Sequence, residues 1–310
     1  MIMKKILSFS LLFLLVLGAN AQIDEKVKRS FETANSPELS IKNSFGDISI
    51  KKHKKKFIDV LVEINVVPQK SKDYEKVKGK VRVDINEAGD RLELTTINEL
   101  DGISTEQLEI DYTIYIPENT SLKIHNQFGD VWIEGTESNV YARVQHGDFF
   151  CGDIGGKSNS IKVQFGELRL ESIEDAELEI EHGDFHAYRI KDVELEVQFS
   201  DAEIERVEGD VVIDMQHSDL SIELVGIELS KLDIDAQFSD IEIESGLWSV
   251  FYMEFEGSFT DFSFPSLIKS WIVYESDEIN SVEYQINDSE TTSGKIKIDA
   301  NHSDVDLGRF

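Results

Sequence analysis

Four histidines, His146, His182, His217 and His302, each stand two residues before an acid, with Gly or Ser between. Stacked in a column, their imidazoles could ligate a metal ion, although the short-spaced Cys and His patterns of zinc sites are absent. Phe alternates with His at the same position, so a packing slot for one ring is the simpler explanation. The acids form a second candidate set: Asp130, Asp148, Glu167, Asp184, Asp201, Asp219 and Asp240. In a column their like charges would weaken neighbouring strands. Calcium, which takes several carboxylate and carbonyl oxygens, would relieve that repulsion. These seven are therefore the candidate metal ligands and Ca2+ the candidate cofactor, against a plain solvated acidic turn. The glycine-rich nonapeptide of calcium β-rolls is missing.

Nothing in the chain resembles a nucleophilic site. His217, Ser218 and Asp219 are adjacent in sequence, which is not triad geometry. The lone cysteine, Cys151, has no partner for a disulfide and no evident base beside it, so it reads as a small core residue. Acids are so abundant that a pair of carboxylates carries no information about glycoside chemistry. The chain is read as non-enzymatic, with a polysaccharide-active enzyme as the alternative, supported only by analogy between folds.

A repeat positions these groups. It reads Gln127-Phe128-Gly129-Asp130, Gln145-His146-Gly147-Asp148 and Gln164-Phe165-Gly166-Glu167, then Glu181-His182-Gly183-Asp184. It continues as Gln198-Phe199-Ser200-Asp201, Gln216-His217-Ser218-Asp219 and Gln237-Phe238-Ser239-Asp240, with outlying copies at Ser44-Phe45-Gly46-Asp47 and Asn301-His302-Ser303-Asp304. The acids are 18, 19, 17, 17, 18 and 21 residues apart. Between the marks, apolar and charged residues alternate, as in Glu177-Leu178-Glu179-Ile180-Glu181, which sets one row of side chains inward and the other in water. Short strands at a fixed spacing, with only a weak helical period near Ser71–Val77, predict an all-β solenoid of stacked coils. Propeller blades need about 40 residues, more than two repeats provide.

Gly before an acid fits a corner of left-handed backbone, although Ser replaces it from residue 200. The apolar residue two places before each ring predicts that the rings point inward. Coils about 4.8 Å apart would stack those rings, either as one mixed column or as separate Phe and His columns.

The export signal is at the start. Lys4 and Lys5 precede an apolar run, Ile6 to Leu17, and Ala19-Asn20-Ala21 is a small-x-small cleavage pattern, so residues 1–21 read as a signal peptide. The location expected is extracytoplasmic: periplasm, cell surface or secreted. No later stretch is long and apolar enough for a transmembrane helix. Residues 22–100 hold 16 Lys and Arg against 14 Asp and Glu, whereas residues 101–310 hold 13 against 47. So acidic a body repels phosphate backbones and argues against nucleic acid as a partner. The basic run Lys51–Lys56 reads as a solvated loop or as a contact for an anionic surface.

The run Leu39-Ser40-Ile41-Lys42-Asn43-Ser44-Phe45-Gly46-Asp47-Ile48, the later strand Tyr112–Pro117, and Leu122-Lys123-Ile124 leading into Phe128-Gly129-Asp130-Val131 resemble the "putative adhesin" family of exported bacterial proteins, formerly a domain of unknown function. The resemblance spans about residues 31–310. It implies a right-handed parallel β-helix and an adhesion-related role, and it brings no catalytic residues. The organisation expected is a β-rich section over 22–120, with an excursion at 51–110, leading into a solenoid body over 121–310. The aromatic-rich stretch 247–290 closes the end of the stack or, alternatively, stacks sugars. The function expected is an adhesin-like binding or structural role in the cell envelope, with an envelope, glycan or protein ligand. A periplasmic, envelope-sensing structural protein is a further alternative.

Overall fold

Alternation with a period of two makes strands, and the structure, a computed structural model, is built mainly of them. It describes residues 22–33, 36–269, 271–278, 281–287 and 294–308. The expected signal peptide lies outside the described residues. The fold is all-β, with one large, mostly parallel sheet, as the alternation predicts. Among the described residues the only α-helical turns are Tyr74–Val77, within the weak helical period, and Ser266–Lys269. No described helix is long and apolar enough to cross a membrane.

Each repeat contributes one strand before its mark and one after it. Ser121–Asn126 precedes Val131–Thr136, and Val140–Gln145 precedes Phe149–Ile154. Equivalent strands pair in parallel, Val144 opposite both Asn126 and Val163, and Phe149 opposite both Val131 and Leu168. One repeat is therefore one coil, and Phe and His share a single column. From Leu168 the strands lengthen around the coil, as Leu168–Glu181, Asp184–Gln198 and Asp201–Gln216. Their inward rows include Val144, Val163, Ile180 and Val197 on one wall and Phe149, Leu168 and Phe185 on another, all fully buried. Each such side chain contributes roughly 1.5–3 kcal/mol by leaving water.

The two ends are closed by interleaving the chain. Glu38–Asn43 lies between Arg91–Asn98 and Ser121–Asn126, so residues that leave the stack after His53 return to form the layer beyond it. At the other end Gly294–Asn301 lies between Val225–Gln237 and Phe251–Ser258, so the last described coil is inserted inside the previous one. The strand Ser281–Ile286 then runs antiparallel against Phe251–Ser258. There Phe255, Phe262, Phe264 and Tyr284 pack together, their ring centroids 5.1–6.1 Å apart.

Candidate functional site

The rings of the repeat make one continuous column, but on the outside of the stack. In spatial order it runs Phe45, Phe128, His146, Phe165, His182, Phe199, His217, Phe238, His302 and Phe259, with successive centroids 4.8–5.3 Å apart. Nine such steps give a ladder about 45 Å long. Phe165 is 51% exposed, Phe199 51% and Phe238 52%, which corrects the expectation that the rings face inward. The reason lies in the backbone. From His146 onward each ladder residue has φ between 52° and 58°, a left-handed conformation that flips the side chain out of the strand alternation. Counting by twos from the preceding apolar residue fails at that point.

The same observation corrects the corner glycine. Gly46 and Gly129 do have left-handed φ, at 110° and 127°, but Gly147, Gly166 and Gly183 do not. Those three are small because the coils touch: a Cβ on Gly166 would lie 2.0 Å from the carbonyl oxygen of Gly147. Where Ser takes over, hydroxyls link the coils. Ser200 N–H donates to Ser218 Oγ at 3.1 Å, Ser218 N–H to Ser239 Oγ at 3.2 Å, and Ser239 N–H to Ser303 Oγ at 3.0 Å.

The acids form a third column, and most use one oxygen structurally. Asp130 Oδ1 accepts the N–H of Asp148 at 2.9 Å, Asp148 Oδ1 that of Glu167 at 2.8 Å, and Asp219 Oδ1 that of Asp240 at 3.1 Å. Asp201 Oδ1 accepts from Asp219 at 3.3 Å, Asp240 Oδ1 accepts from Asp304 at 3.1 Å, and Asp184 stands opposite Asp201 in register. Asp130, Asp148, Asp201, Asp219 and Asp240 thus tie their turns to a neighbouring coil, whereas Glu167 pairs with Arg169. Among the described residues no three His, Cys, Asp or Glu side chains converge to hold a metal ion. Successive ladder histidines are held about 10 Å apart by the Phe between them, too far to share an ion. With five of the acid-column carboxylates already holding a backbone N–H, calcium is expected to move the melting temperature no further than matched ionic strength does. A rise of many degrees over a chelator control would instead assign the acid column to calcium.

Three residues before each ring, a column of charge runs along one flat wall. In register it reads Lys42, His125, Arg143, Lys162, then Glu179, Glu196, Asp214, Asp235, Asp299 and Glu256. Sequence reading missed this column. Aligning the repeats on their rings, rather than on their acids, would have shown it. Desolvation and the neighbouring carboxylates of Asp299 and Asp214 push the pKa of Asp235 up. A carboxyl whose folded pKa is raised weakens the fold while ionised, and the penalty fades as pH falls through the raised pKa towards the unfolded value. Asp235→Asn is thus expected to stabilise the fold by about 0.5 kcal/mol at neutral pH, the scale of one exposed cross-strand repulsion. The gain should vanish on acidification through the carboxylate range, as urea unfolding at several pH values would show.

Other candidates are quieter. Burial pushes the Cys151 thiol far up, which makes it inert. In the aromatic-rich closing stretch Trp248, Phe251 and Phe255 are buried, whereas Phe259 and Tyr274 are exposed. A shallow groove on the wall after the corner is lined by Arg169, Glu171, His186, Tyr188, Glu203 and Glu205. His186 Nδ1 lies 2.9 Å from Glu203 Oε2, and Tyr188 is 58% exposed.

The profile of the family described as Toastrack DUF4097 matches residues 36–225. Among solved structures, a "putative adhesin" from Bacteroides fragilis aligns over 92% of this chain and 97% of its own, at 9% identity and a TM-score of 0.38. Another "putative adhesin", from Parabacteroides merdae, covers 92% and 96% at 10% identity and a TM-score of 0.35. A "putative lipid binding protein" from Parabacteroides distasonis covers 91% and 96% at 9% identity and a TM-score of 0.29. No curated protein matches. With the family profile covering more than half of its length, the chain belongs to the Toastrack DUF4097 family.

Proposed function

We propose that the chain is an exported, non-enzymatic, adhesin-like protein of the bacterial cell envelope, a right-handed β-helix that binds or holds a surface. The observation that carries this reading is the ring ladder. Ten rings stack along the coils, and the nine from Phe128 to Phe259 are exposed as a partly apolar ridge outside the core, the kind of surface characteristic of interaction sites. Intact-cell protease shaving tests the location: loss of the protein from whole cells supports a surface role. Protection until the envelope is breached would favour the periplasmic, envelope-sensing alternative.

A second reading, cleavage of acidic polysaccharides, draws on the groove around Tyr188, where His186 meets Glu203 beside further carboxylates. Turnover of such polymers by the purified protein, abolished by Glu203→Gln, would establish it in place of the binding reading.

A further inference from the structure

The chain carries 61 Asp and Glu among 310 residues, yet the three stacked strands Ser121–Asn126, Val140–Gln145 and Asn159–Gln164 contain none. Their outward side chains on this wall include Lys123, His125, Tyr141, Arg143, Ser160 and Lys162, and Lys42 adds to the same face from Glu38–Asn43. Lys42, Lys123, His125 and Arg143 are exposed. Lys162 pairs with Glu179 and Glu181 where the acidic half begins. Among the described residues Lys42, Lys123 and Arg143 form no ion pair. Burial and the positive charges of Arg143 and Lys42 hold the pKa of His125 below its ordinary value. Lys42, Lys123 and Arg143 therefore give this half of the wall a positive charge that no ion pair among the described residues offsets.

We propose that this row is a binding site for a linear acidic glycan, laid along the stack with one sugar carboxylate or sulfate to each coil. The inference rests on reading the protein as a binding module and names its ligand class. Parallel coils repeat about every 4.8 Å, so Lys42, His125, Arg143 and Lys162 stand at even intervals, a spacing matched to a polymer with a regularly repeated charge whose binding would favour the protonated His125. Tyr141, 40% exposed in the middle of the row, offers an apolar ring for a sugar. The shape of the charge decides between classes of partner. A membrane would press on the whole flat wall, including Glu179, Glu196, Asp214 and Asp235, and be repelled there. Duplex nucleic acid is as broad and meets the same carboxylates, and single strands need a series of stacking rings where this row has one. A narrow chain can occupy the basic half alone, and the acids beyond Lys162 end its site.

The test compares the exported protein with a Lys123→Ser/Arg143→Ser variant, both positions being exposed and free of ion pairs. The probes are polygalacturonate oligomers, a neutral glycan of similar length, single-stranded DNA and vesicles containing anionic phospholipid. The expected result is binding of polygalacturonate that weakens with salt and is about tenfold weaker in the variant, the scale of two exposed charge contacts. The His125 imidazole, assigned through His125→Gln, should titrate at higher pH with the oligomer bound. Equal binding by variant and parent would overturn this site while leaving the binding-module reading intact. Tighter binding to vesicles or DNA than to the glycan would overturn the ligand class. If neither protein binds any probe or any envelope glycan preparation, both the site and the module reading fall.

Discussion

Gly166→Ala should destabilise the protein by about 3 kcal/mol, the upper range for forcing atoms into a packed interior. The built Cβ would lie 2.0 Å from the oxygen and 2.6 Å from the carbon of the Gly147 carbonyl, so the obstacle is backbone and not a side chain that can swing away. Backbone conformation adds nothing, because φ at Gly166 is not left-handed. Gly246→Ala is the control, since a Cβ there meets nothing within 4 Å and φ is again ordinary. Urea midpoints for the two variants should differ widely, and equal midpoints would mean that the coils do not touch at the corner.

The second large effect belongs to the ladder. Phe199 is stacked between His182 and His217 with both centroids at 5.1 Å. Phe199→Ala removes two ring contacts, and at about 0.5–1.5 kcal/mol each it should cost roughly 2 kcal/mol. Phe199→Gly removes the same contacts but relieves a left-handed residue, φ 52°, which recovers about 1 kcal/mol. The expected order of stability is thus wild type, then Gly, then Ala, the reverse of the usual order within a strand. His182→Phe should change stability by less than about 0.5 kcal/mol, because the slot requires a ring and not an imidazole. Denaturation midpoints for the four proteins check the order.

Much of this was legible from residue types alone. The spacing of Asp130, Asp148 and Glu167 gave the coil length, and the alternation around Leu178 and Ile180 gave the walls of the core. The orientation of the rings was not legible, because inward and outward were counted by twos through His146 and Phe165, where a single left-handed residue breaks the count. A non-glycine residue with positive φ is rare, and by residue type the neighbouring Gly147 and Gly166 are the natural places for it. The interleaved ends were hidden for a different reason. Pairing between Leu232 and Ile296 spans residues far apart in sequence, and local pattern carries no information about which coil lies between which. Phe259 looked like one more aromatic of the closing stretch, but Phe259-Thr260-Asp261 is a tenth copy of the mark, with Thr in the place of Ser, and it ends the ladder. The basic row was visible in principle: Lys42, His125, Arg143 and Lys162 each stand three residues before a ring.

Hydroxyl-radical footprinting read by mass spectrometry tests the central claim most directly, that the rings of the repeat line the outside of a stack of coils. Phe165, Phe199 and Phe238 should oxidise readily, while Phe149 and Phe185, fully buried on the inner wall, should be protected until the protein unfolds. Protection of the first three together with oxidation of Phe149 and Phe185 would place the ladder inside and contradict the account.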